Sequence, residues 1–300
     1  MNIAQFNARG PNDIEHWYTL IYEELQRQGH SVRQFNLRSQ RPTIQDREWM
    51  DFAVIHFAQV AQHYMRMGVP FCVLPSANDI FPDNGTKLLQ VANNTNCKFV
   101  TYQSFYHKRK YDEWGIPNDK VYVPMPIRTE LFTRRRKFNP NGRVIAGGRL
   151  IPKKGLDRII PYVNYLTIFG DGPLKQQLQY LNPTTMFTGH LTGESLKNLM
   201  EESWLYLYPA IVDSSGDSDG IPNTVKEAMY MGLQVIASPV AGLPELENIS
   251  LLDNWSKINE VISTMPRKFN YKGKREISNL YTPEICTRML LKGIEEYVSR

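Results

Sequence analysis

The feature that most restricts how this chain can fold is a short apolar run followed by residues at helical spacing, a unit that recurs through both halves. Residues 2–6 read as a buried strand, after which Trp17, Leu20, Ile21 and Leu25 recur at helical spacing until Gly29 stops the helix. A strand over residues 31–37 follows, and the alternation continues with strands at 52–56, 71–74, 99–101 and 121–123. Apolar strands alternating with amphipathic helices predict a parallel sheet covered on both faces. A basic, then turn-rich stretch at 134–142, ending in Asn139-Pro-Asn-Gly142, reads as a linker. Beyond it, strands are expected at 143–146, 166–169, 185–187, 205–208 and 234–237. Thr282 followed by Pro283 predicts the cap of a last helix that presents Met289, Leu290, Ile294 and Tyr297 on one stripe.

Two such α/β series suit the length of 300 residues, enough for about two domains. The expected boundaries are 1–138 for the first domain and 139–282 for the second. The chain opens without a basic segment and apolar core of the secretory type, and no apolar run approaches the roughly 18 residues of a membrane helix. Cys72, Cys97 and Cys286 are odd in number and lack C-x-x-C spacing, which argues against a disulfide framework or a zinc site. A cytoplasmic location is therefore expected.

Charge is unevenly placed. From His107 to Phe138 there are nine basic residues (Lys108, Arg109, Lys110, Lys120, Arg128, Arg134, Arg135, Arg136, Lys137) against four acidic ones, which equals the whole net charge of +5. A second segment, Arg267 to Arg275, is basic and free of acid. Two readings follow. Either these are solvated faces and a linker, or they attract an anionic acceptor, such as a lipid-linked glycan or a modified nucleic acid, with peripheral contact at the inner membrane surface.

The residues that carry chemistry fall in the second half. In order they are Gly147-Gly-Arg-Leu-Ile-Pro-Lys-Lys-Gly155, Phe169-Gly-Asp-Gly-Pro173, Phe187-Thr-Gly189 with His190 and Leu191, and Asp219-Gly-Ile-Pro-Asn-Thr-Val-Lys-Glu-Ala-Met229, followed by Gly242-Leu-Pro-Glu245. These residues suit an anion, since a bound diphosphate needs fixed cations and backbone N–H groups. Arg149 supplies a planar fork for phosphate oxygens and Lys154 a mobile point charge. Gly220 lets backbone approach a ligand closely, and Pro222-Asn223 can start a helix whose free N–H groups face an anion, with Glu227 one turn inside it.

Taken together and in this order, these motifs resemble the donor-binding domain of family 4 glycosyltransferases of the GT-B fold, over residues 147–246. The resemblance implies two Rossmann-like domains facing each other across a cleft, the second holding the donor, the first the acceptor, and the last helix (283–300) packing back on the first. It implies a retaining hexosyl- or pentosyltransferase. Arg149 and Lys154 would bind the diphosphate, Asp219 the sugar hydroxyls, Glu227 the ribose, and Gly189-His190-Leu191 would seat the base, with Gly220, Ile221, Pro222 and Asn223 completing the donor set.

In the first half the likeness is looser. Gly29-His-Ser-Val32 resembles the family's turn into its second strand, and Gly10 sits where the family has a glycine-rich loop near the phosphates. Ser76-Ala-Asn78 replaces a Thr-x-His whose imidazole contacts the transferred sugar; Asn78 can hydrogen-bond there but cannot carry a proton. His56, at the end of a predicted strand, is a second candidate whose plainer reading is a core residue.

Asp217-Ser-Asp219 spells D-x-D, a metal-holding pair in another glycosyltransferase fold. Here the adjoining Gly-Ile-Pro-Asn and Glu227 favour donor binding by cations and a helix start, so no metal and no cofactor is expected. The rivals are a sugar-nucleotide epimerase or phosphorylase on the same scaffold, and a non-catalytic nucleotide-sugar or carbohydrate-binding protein. A dinucleotide dehydrogenase is disfavoured because no G-x-G-x-x-G follows the first strand of either half.

Overall fold

The two series of apolar runs become two parallel six-stranded sheets. The computed structural model describes residues 1–7, 17–36, 41–76, 81–83, 85–213, 218 and 220–298. The chain divides into unit 1, Met1–Ile127 with Tyr281–Arg300, and unit 2, Arg128–Leu280.

In unit 1, β1 (Asn2–Asn7), β2 (Ser31–Asn36), β3 (Phe52–His56), β4 (Phe71–Leu74), β5 (Cys97–Tyr102) and β6 (Asp119–Tyr122) lie in the order β2-β1-β3-β4-β5-β6. Side chains alternate across a strand, so each strand feeds two cores. Ile55 joins Phe6, Val73, Leu88 and Val91 on one face, while its neighbour Val54 joins Ile3, Ile21 and Phe99 on the other. Three short or medium helices follow the early strands: α1 (Trp17–Arg27), α2 (Ile44–Trp49) and α3 (Ala58–Tyr64). α1 ends as its spacing predicts, at Gly29, whose φ of +85° suits a residue without a Cβ.

The helix Pro283–Val298 belongs to unit 1 although the chain reaches it last. The Ile285 N–H donates to Thr282 Oγ1 at 3.4 Å, so Thr282 does cap it. Leu290, Leu291 and Ile294 enter the core beside Trp17 and Phe99. Each such buried side chain contributes about 1.5–3 kcal/mol, enough to fix the helix on this unit.

In unit 2, β7 (Arg143–Gly147), β8 (Thr167–Phe169), β9 (Met186–Gly189), β10 (Ser203–Tyr208), β11 (Gln234–Ala237) and β12 (Ser250–Leu251) take the order β12-β11-β10-β7-β8-β9. The chain runs from β7 outward to β9 and then returns to the other side of β7 as β10. That reversal opens a crevice beyond the carboxyl ends of β7 and β10, the position where open α/β sheets bind ligands.

The units meet in sequence at Arg128, ahead of the expected boundary at residue 138. The reason is Arg134. Its Nε donates to the Met231 carbonyl (2.9 Å), Nη1 to the Glu201 carbonyl (2.8 Å) and Nη2 to the Met200 carbonyl (3.1 Å). Those carbonyls end the helix Gly193–Glu201 and follow the helix Asn223–Tyr230, so one guanidinium caps two helices of unit 2. Residues 134–142, which read as a linker, thus fall inside unit 2, with Arg134 bonded to two of its helix ends.

Much of the basic surplus is also engaged locally. Arg135 pairs with Glu194 (3.6 Å), Arg136 with Glu202 (3.7 Å), and Lys108 and Lys120 both with Asp112 (3.2 Å each). In the second basic segment, Arg267 stacks over Trp204 at 4.8 Å and Lys274 over Tyr230 at 5.0 Å. Among the described residues, no helix is long and apolar enough to cross a membrane.

Candidate functional site

The second-half motifs converge because they are the loops at the carboxyl ends of adjacent parallel strands. β7 ends in Gly147-Gly148, β8 leads into Gly170-Asp-Gly172, and β9 ends at Gly189. Backbone bonds tie these turns together. The Gly148 N–H donates to the Phe169 carbonyl (3.0 Å), the Leu150 N–H to the Asp171 carbonyl (2.9 Å), and the Gly170 N–H to the Gly189 carbonyl (2.7 Å). Gly170 has φ +112°, and a Cβ placed there would lie 1.8 Å from the Gly148 carbonyl oxygen, so only glycine permits this approach.

Arg149 follows at once and is exposed, with its backbone anchored on both sides. Lys154 folds back: its Nζ lies 2.9 Å from the Tyr208 hydroxyl, and its Cε lies 3.6 Å from where a Gly148 Cβ would be. This places a half-buried cation over the Gly147-Gly148 turn. The turn Pro152–Lys154 ends in Gly155, held in the left-handed region at φ +60° because a Cβ there would strike the Pro209 carbonyl.

The helix Asn223–Tyr230 begins on the other side of the crevice, after β10. The Tyr206 hydroxyl, on β10, lies 3.3 Å from the Gly147 carbonyl oxygen and 3.0 Å from Thr224 Oγ1, and so ties the glycine turn to the first turn of that helix. Pro222 is extended (φ −67°, ψ 143°), and among the described residues no side chain caps the helix. Its first N–H groups have no acceptor inside the helix, which makes them available to an anion. Gly220 is buried, Ile221, Pro222 and Asn223 are half-buried, and Glu227 is half-buried one turn in.

His190 is exposed and Leu191 half-buried just beyond β9. The neighbouring Asp171 carboxylate is held below the usual range, first by the Gly172 N–H and then by Lys175. Asp219, together with Asp217, Gly10 and Asn78, lies outside the described residues. His56 is fully buried, with its Nε2 at 2.6 Å from Gln5 Nε2 and its ring on the edge of Trp17, as the plainer reading expects of a core residue.

Three participants were not picked out from the sequence. Tyr206 and Tyr208 read there as core residues of an apolar strand, yet they hold Gly147 and Lys154. Arg158 gathers the chain after β10, donating from Nη1 to the Pro209 carbonyl (3.1 Å) and from Nη2 to the Asp253 carbonyl (3.1 Å). Only its position three residues after Gly155 could have marked it.

Residues 143–261, most of unit 2, match the family of group 1 glycosyl transferases. Over 150 residues the chain is 31% identical to the amylovoran biosynthesis glycosyltransferase AmsK of Erwinia amylovora, and over 137 residues 37% identical to a GDP-mannose-dependent alpha-mannosyltransferase of Mycolicibacterium smegmatis. Each match takes in 44% of this chain but only 37% and 34% of those proteins, so the chain matches about a third of the length of either relative.

Two solved structures align over almost the whole chain. Sucrose-phosphate synthase from Thermosynechococcus elongatus does so at a TM-score of 0.78 and 12% identity, covering 100% of this chain and 99% of that one. HepE of Anabaena in complex with UDP and glucose does so at 0.73 and 16%, covering 98% and 99%. At these identities the likeness establishes the fold, which is GT-B.

Proposed function

We propose that the chain is a glycosyltransferase that takes its sugar from a nucleotide-diphosphate donor bound at the carboxyl edge of the unit 2 sheet, and transfers it with retention of configuration. The observation that carries this reading is the assembly of the Gly147-Gly148 turn, Lys154 and the uncapped start of helix Asn223–Tyr230 around one crevice. Close backbone, a cation and a helix N-terminus are what a diphosphate requires.

In this reading Arg149 and Lys154 stabilise the charge that grows on the diphosphate as the glycosidic bond to it breaks, the step on which preorganised electrostatics act most. Glu227 binds the ribose, and the segment from Asp219 to Asn223 meets the sugar and the β-phosphate. His190 and Leu191 border the base. The acceptor is proposed to be a glycan; AmsK, one of the matched proteins, is named for amylovoran biosynthesis. GDP-mannose, named for one matched protein, and UDP-glucose, bound in a HepE complex, set the first donors to try.

The donor chemistry is proposed to run on these cations without a metal. Thermal-shift titration with UDP, GDP and their sugars should identify a stabilising nucleotide. Arg149→Ala and Lys154→Ala should each weaken its binding by about tenfold or more, the scale of one hydrogen bond to a charged group. Transfer by the wild type should persist in a strong chelator. Unchanged affinity in both variants would remove the site, and loss of transfer in chelator with recovery in manganese would return the role to a metal.

A further inference from the structure

Unit 1 carries an open cavity of about 260 Å3 lined by Arg41, Arg47, Arg66, His63 and Tyr64 with Pro42 and Met67, and no carboxylate lines it among the described residues. The local fold brings them together. Arg41 precedes α2 and Arg47 lies within it, His63 and Tyr64 end α3, and Arg66 is in the turn that follows. Guanidinium groups stay charged at any physiological pH, and Arg41, Arg47 and Arg66 are exposed together with His63, so the cavity offers an anion several solvated cations.

The protein does not supply that anion among its described residues. None of Arg41, Arg47, His63 and Arg66 forms an ion pair there. The nearby acid Asp46 is committed to capping α2 through Thr43 and to Arg33, which it meets at 2.8 Å. Glu48, also on α2, is exposed and does not line the cavity.

A second observation is independent of the charges. Tyr64 is only 6% exposed and packs on Phe6 at 4.3 Å between ring centroids, yet its hydroxyl is buried with no hydrogen-bond partner among the described residues. Buried hydroxyls are ordinarily bonded, because leaving one unmade forfeits its hydration for nothing. Burial pushes this phenol up, and the positive field of Arg41 opposes that.

We propose that this cavity binds a phosphoryl group, its oxygens held by Arg41, Arg47 and Arg66 and one of them accepting from the Tyr64 hydroxyl. A tetrahedral dianion answers three cations better than a carboxylate with a single charge, and guanidinium forks match its oxygens. Such a group can arrive on a soluble phosphorylated metabolite or on a lipid head group. The inference does not rest on the donor reading in unit 2.

Inorganic phosphate is the probe, titrated calorimetrically into the full chain. The parent is Arg149→Ala, so that phosphate bound at the unit 2 crevice does not mask the signal. Adding Arg47→Gln with Arg66→Gln should weaken binding by about tenfold or more. Adding Tyr64→Phe should weaken it by about threefold and leave the melting temperature unchanged, since the lost hydroxyl has no protein partner to abandon. Glycerol phosphate and phosphatidic acid vesicles then separate the two sources, and selective loss of either in the double arginine variant supports the site. Phosphate affinity within about twofold of the parent in both sets of variants would overturn the proposal. So would a fall in melting temperature for Tyr64→Phe, which would give the hydroxyl a structural partner.

Discussion

Gly170→Ala is expected to cost unit 2 about 3–5 kcal/mol and to abolish nucleotide binding with it. Two penalties coincide at this residue. Its φ of +112° is one that side-chain-bearing residues rarely adopt, and the added carbon would lie 1.8 Å from the Gly148 carbonyl oxygen and 2.8 Å from the Gly148 carbonyl carbon. Both neighbours are backbone, so neither can swing aside as a side chain could. Relief requires the 147–148 and 170–172 turns to part, which breaks the Gly148 to Phe169 and Gly170 to Gly189 bonds. For a unit of this size the melting temperature should fall by on the order of 10 °C. Gly189→Ala is the control, because at φ +79° a Cβ there meets nothing within 4 Å, leaving a backbone penalty of about 1 kcal/mol. Calorimetric melting of both variants checks this, and equal losses would show that crowding between the turns is not what glycine relieves.

Arg134→Met carries the second large effect, a loss of about 3–5 kcal/mol in urea unfolding. Methionine keeps much of the stem but removes all three bonds to the carbonyls of Met200, Glu201 and Met231. Those carbonyls sit at the negative ends of two helices, where a cation is favoured. Lysine should not restore the loss, since one ammonium cannot match the spread of a guanidinium over two helix ends. Arg136→Gln, two residues on, should cost under about 0.5 kcal/mol, because Arg136 is exposed and its closest approaches to Glu201 and Glu202 are 3.7 Å. Similar losses for Arg134→Met and Arg136→Gln would return this stretch to a solvated linker.

Arg134 also marks where reading the sequence stops. The strands were legible because parallel strands are apolar on both faces, and β3 and β4 appear over the residues their composition indicates. β12 was not, since two residues carry no period. The glycine turns and Lys154 were legible because the chemistry that requires them is local: a turn, then a cation a few residues on. The role of Arg134 is not local. Its acceptors lie 66, 67 and 97 residues away, so the same residues read as a linker until the two helix ends are in view. Tyr206 and Tyr208 were hidden for another reason, because an apolar strand uses tyrosine for its ring and shows nothing of its hydroxyl. The unit 1 cavity combines both obstacles, with cations from two separate stretches of chain around a tyrosine that reads as core.

Amide hydrogen exchange with and without the most stabilising nucleotide reports whether a nucleotide diphosphate binds at the carboxyl edge of the unit 2 sheet. The N–H groups of Asn223, Thr224 and Val225 have no acceptor within their own helix, and those around Gly148 border the same crevice. Slowed exchange is expected at residues 148–155 and 223–226 in the wild type, with little slowing there in Arg149→Ala at the same nucleotide concentration. Nucleotide binding that leaves both segments exchanging at their free rates would contradict binding at that edge.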